Sequence, residues 1–156
     1  MDRLAALRSD FAAAIGGAPW HGPSLADALD GLTAEAATAR AFANAHTIAE
    51  IVAHLAVWAD VPRLRLGGAV VEPTPDEDWP GPGPWSEASA RLAAAHNALL
   101  TAIDRLSDAD LDRVVRRGDG SADGAEPYTA ATMLRGVVQH ISYHSGQIAM
   151  LRKALG

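Results

Sequence analysis

The chain has 156 residues, a formal net charge of −6 at neutral pH and no cysteine. That length suits one domain, here residues 1–156, with a core of its own and no need of disulfides. The acidic balance speaks against a nucleic-acid groove, which requires clustered Lys and Arg. The lack of cysteine removes thiolate nucleophiles and Cys-type zinc sites, leaving imidazole and carboxylate as the strong metal ligands.

The short basic clusters Arg63/Arg65 and Arg113/Arg116/Arg117 read as solvated helix ends. No apolar run approaches the roughly 20 residues of a membrane span. The start Met1-Asp2-Arg3 lacks a secretory pattern, so a soluble, cytoplasmic protein without membrane or nucleic-acid partners is expected.

In chain order, Leu4, Leu7, Phe11 and Ile15 form a helical stripe closed by Gly16-Gly17 and Pro19, predicting a first helix over about residues 2–16. Trp20 to Leu25 is a turn, after which Ser24 caps a short helix through Leu29 and Thr33 another through Ala39. Thr47 with Glu50 three residues later is a capping box, opening a long helix to about Leu66 that Pro62 should kink or end early. Five prolines between Pro73 and Pro84 predict an extended crossover over residues 69–85. Ser86 should cap a third long helix with Leu92, Leu99, Ile103 and Leu106 inward, ending near Ser107.

A short turn from Ala109 to Val115 and a Gly/Asp-rich loop through Glu126 lead to Thr129, which opens a last helix running to about Ala154. Gly136 inside it marks close helix packing in this reading, and no strand is expected. Four long amphipathic helices with a long crossover between the second and third define an all-α four-helix bundle.

The strongest chemical signal is on the last helix. His140 and His144 are i and i+4, so both imidazoles reach one point beside the helix. His144 falls in the slot between Ile141 and Ile148 on the apolar stripe, and His140 sits beside it. A transition metal held by imidazole wants at least three protein ligands in an open site. His54 supplies the third, sharing an inward stripe with Ile51 and Trp58.

Around this set, Gln147 lies where it can accept the spare N–H of His144, and Glu50 one turn before His54 can do the same, although capping is its simpler role. Trp58 can shield the centre, while Tyr143 and Gln147 can position a substrate. His96 on the third helix reads as core filler or a partly exposed edge, with pocket lining as the alternative, and His46 as a surface residue, while Trp20 and His21 form a turn that is structural or, by the family resemblance given below, packs near the site. Any one inward histidine is commonly just a packed core side chain. Three converging ones form a complete ligand set.

Several stretches carry a family resemblance: Trp20 to Leu25, Thr47 to Trp58 around His54, Asp78-Trp79-Pro80, and Gln139-His140-Ile141-Ser142-Tyr143-His144-Ser145-Gly146-Gln147-Ile148 with Leu151 to Gly156. The chain resembles the DinB-like (YfiT-like) metal-dependent enzymes. The resemblance implies a four-helix bundle, a divalent ion, zinc or nickel, on His54, His140 and His144, and dimers. For function it implies a small-molecule substrate and, in some relatives, a low-molecular-weight thiol transferred or used in isomerisation. The expectation is therefore a metal-dependent transferase or hydrolase acting on a small electrophile, the rival being a non-catalytic metal- or ligand-binding bundle.

Overall fold

A computed structural model describes residues 2–115 and 128–156, and the Gly/Asp-rich loop expected through Glu126, with Arg116 and Arg117, lies outside them. Among the described residues, four long helices carry the fold: α1 (Arg3–Gly16), α4 (Ile48–Leu66), α6 (Trp85–Ile103) and α7 (Ala130–Leu155). Between α1 and α4 lie the short helices α2 (Leu25–Leu29) and α3 (Ala34–Thr38), and a single turn, α5 (Pro75–Asp78), interrupts the crossover. A 3-10 turn at Asp108–Asp112 leads into β1 (Val114–Val115), which pairs antiparallel with β2 (Tyr128–Thr129).

The helices start where side chains satisfy free backbone N–H groups. Asp2 caps α1, Thr129 caps α7, and reciprocal capping boxes of Ser24 with Asp27 and Thr47 with Glu50 open α2 and α4. The third long helix begins two residues earlier than expected: Pro84, not Ser86, is at the cap, and Trp85 is its first residue.

The long helices form a ring in which α4 packs on α6 and α7, and α1 packs on the same two. Their stripes meet in one core that includes Phe11, Leu55, Leu99, Ile103, Ile141 and Ile148, each no more than 1% exposed. The four-helix bundle expected from the stripes is thus the architecture found.

Four local expectations need correction. Pro62 does not end α4, which continues to Leu66. A proline removes one helical N–H, but here the helix continues through it with the ring fully buried in the packed face. Arg65 is no solvated helix end: it is 4% exposed and bonded to the carbonyl of Val71 as the crossover folds back over it. Gly136 marks no close approach, since a Cβ built there meets nothing within 4 Å. The strand pair β1–β2, finally, closes the ends of the connection before α7, where none was expected.

Candidate metal centre

The side chains of His54 on α4 and of His140 and His144 on α7 converge where these helices pack together. His54 and His144 are buried and His140 half-buried, and their nearest nitrogens lie within 4.8 Å of one another. His140 Nε2 is 3.0 Å from Nε2 of both His54 and His144.

The outer nitrogens explain which atoms face inward. His54 Nδ1–H donates to the backbone carbonyl of Asp78 at 2.9 Å and lies 3.1 Å from that residue's carboxylate. His144 Nδ1–H donates to Gln147 Oε1 at 2.6 Å, and the Gln147 amide donates in turn to the Tyr143 hydroxyl at 3.0 Å. An imidazole that carries its proton on Nδ1 presents a lone pair at Nε2. Two such lone pairs and His140 Nε2 therefore meet at one place, an arrangement a single proton cannot satisfy.

A shared cation can. Nitrogens around one zinc-like ion at roughly 2.0–2.1 Å stand about 3.0–3.4 Å apart, so the two 3.0 Å separations fit the donor set to such an ion. Burial, with the neighbouring histidines adding to it, pushes His140 down to about 4. Burial likewise takes His144 to about 4 against the opposing bond from Gln147. Both are neutral at pH 7, the form in which an imidazole can hold a metal.

The crossover supplies a wall that sequence reasoning missed. The Trp79 indole is sandwiched between His46 and His54, with ring centroids 3.6 and 4.0 Å apart and planes within 8° of parallel. The Asp78 carboxylate accepts from the Trp58 indole N–H, so one loop residue steadies both His54 and Trp58. Asp78-Trp79-Pro80 stood out only as part of a resemblance. No periodicity reveals that a loop 24 positions downstream folds onto His54.

Other candidates separate from the centre. Glu50 bonds Thr47 N–H, Arg40 and His46 and caps α4, with no bond to His54. His46 is exposed, as expected, yet it walls the site through its stack on Trp79. The Ser142 hydroxyl donates to the Val138 carbonyl and therefore accepts from His21 Nε2 at 2.8 Å. That places His21 at another cleft, bordered by Val138, Gln139 and Gly146, away from the triad. Trp20 is fully exposed. His96 is 4% exposed and packs edge-on against Phe11, and its Nε2 has no hydrogen-bond partner among the described residues, which fits the reading as core filler.

Among the described residues, two clefts reach the triad, and His140 borders both. One, about 570 Å3, is lined by His46, Trp79, Tyr143, His144, Gln147 and apolar neighbours including Phe42 and Met150. The other, about 420 Å3, runs past His54 and Trp58 toward Arg65 and Tyr128. Among the described residues no fourth His, Asp or Glu joins the cluster.

Fold and site together define a helical bundle with three histidines positioned to hold a divalent metal ion. A family model described as the DinB superfamily matches residues 20–148, most of the chain and all three histidines, and the chain belongs to that family. No curated protein matches it. No helix among the described residues is long and apolar enough to cross a membrane.

Proposed function

We propose that this chain catalyses attack of a low-molecular-weight thiol, or of water, on a small electrophile at a divalent ion, zinc or nickel, held by His54, His140 and His144. The observation that carries this reading is that clefts open on both sides of His140, giving two molecules separate approaches to one centre. A purely structural site is closed by a fourth protein ligand. Bound to three neutral imidazoles, such an ion supplies Lewis acidity that favours thiolate or hydroxide near neutral pH.

The protein's own part is positioning. Asp78 and Gln147 hold two of the imidazoles with Nε2 inward, while Trp79 covers the flat face of His54 and limits access of water. In the transfer, the sulfur or oxygen nucleophile forms a bond to the electrophilic carbon, the leaving group departs with its electron pair, and the nucleophile's proton passes to solvent or to that leaving group. A homodimer, taken from the family resemblance, and a cytoplasmic location are parts of this proposal.

A panel of thiols and electrophiles assayed with the zinc- and nickel-loaded protein tests the reaction. Turnover that a chelator abolishes and added metal restores is the expected result. Tight metal binding with no turnover across a broad panel would favour the non-catalytic bundle.

A further inference from the structure

The 420 Å3 cleft has two unlike ends. His54, His140 and Trp58 form one, and Arg65 and Tyr128 the other. Its middle is apolar, bordered by Pro62, Met133 and Val137, and open at Gly136, where an added Cβ would touch nothing within 4 Å. Both helices set its length. His54 and Arg65 are about three turns apart along α4, about 16 Å of helical rise, and Thr132 and His140 are about 12 Å apart along α7. A molecule touching both ends is therefore elongated.

The far end is a prepared donor pair. The Arg65 side chain is 3% exposed, and its Nε and Nη2 donate to the Val71 carbonyl at 3.1 and 2.7 Å, Nη2 also to Glu72 at 2.7 Å. Its Nη1 donates to the Tyr128 oxygen at 2.6 Å. A guanidinium has donors only, so the Tyr128 oxygen accepts and its own O–H proton is left to donate. Neither that proton nor the second Nη1 hydrogen meets an acceptor among the described residues. Val71 and Glu72 fix the rear edge of the guanidinium, and two hydrogens at Tyr128 and Nη1 are left for the two oxygens of a carboxylate.

We propose that this cleft takes an elongated, largely apolar carboxylic acid as the electrophile, with its carboxylate held by Tyr128 O–H and Arg65 Nη1–H and its opposite end brought to the three histidines. Only the orientation toward the histidines rests on the proposed reaction, so the acid's binding is measurable without it.

The test is calorimetric titration of 6-phenylhexanoate into metal-free full-length protein, where no ion competes for the carboxylate, with the primary amide of the same acid as control. Saturable binding at one site is expected, at least tenfold tighter for the acid than for the amide. Tyr128→Phe should weaken it at least tenfold, and Gly136→Leu, which fills the middle of the cleft and improves helix propensity, should abolish it. Circular dichroism and zinc stoichiometry of both variants should match the wild type. No saturable binding, equal affinity for acid and amide, or either variant binding like the wild type would overturn the assignment. Acid binding that behaves as expected in a protein unable to retain zinc would leave this site standing and remove the metalloenzyme reading.

Discussion

His144 on α7 and His96 on α6 are equally buried, each 4% exposed, yet their surroundings give them opposite chemistry. His144 has an acceptor at Nδ1 and two imidazoles beyond Nε2, whereas His96 packs edge-on against Phe11 and its Nε2 has no partner among the described residues. Burial lowers both to about 4. What separates a histidine positioned to hold a metal from a packed one is thus the second nitrogen's partner and the company at the first, and burial alone does not distinguish them.

The largest expected effect breaks the triad. His144→Ala or His54→Ala should reduce bound zinc from about one ion per chain to near zero and abolish any metal-dependent turnover, while His96→Leu should leave the metal content unchanged. Equal metal loss in His96→Leu, measured by elemental analysis after dialysis, would erase the distinction between the two sites.

Next in size is a pH effect on the other side of the comparison. The folded His96 pKa of about 4 lies below the ordinary 6.5, so the unfolded chain takes up the proton first. The stability tied to neutral His96 is complete above pH about 6.5 and is lost as pH falls from there toward 4, up to about 3 kcal/mol. His96→Leu should accordingly lose less unfolding free energy than wild type between pH 7.5 and 4.5, as read by urea denaturation. Parallel losses in the two proteins would show that His96 is accommodated in its charged form.

Smaller again, Gln147→Leu removes the acceptor that fixes the His144 tautomer. Metal affinity should fall about 10- to 100-fold with the three ligands intact, measured by competition with a chromogenic chelator. The least effect is expected for Thr47→Ala, which removes the α4 cap and costs about 1 kcal/mol of stability without altering metal affinity. A change in metal affinity there would mean that the capping box also positions the centre.

The triad and the bundle were legible because both follow from helical periodicity. The apolar stripes of α1, α4, α6 and α7 name the buried faces, and the spacing of His140, His144 and His54 relative to those stripes puts them inside. What escaped comes from loops. Asp78 and Trp79 reach His54 from the crossover, and Val71 buries Arg65 from the same segment, contacts that no repeat in the sequence encodes. Glu50 was ambiguous because a residue in the first turn of a helix can serve its own cap or a neighbour, and the wall role of His46 escaped because its partner Trp79 lies in the crossover.

X-ray absorption at the metal edge of the loaded protein, with the ion counted per chain, bears most directly on the convergence of the two helices' imidazoles. One ion per chain with three imidazole nitrogens at about 2.0–2.1 Å and a further light-atom or solvent ligand is the predicted shell. Sub-stoichiometric metal, or a shell with fewer than three imidazole nitrogens, would contradict it.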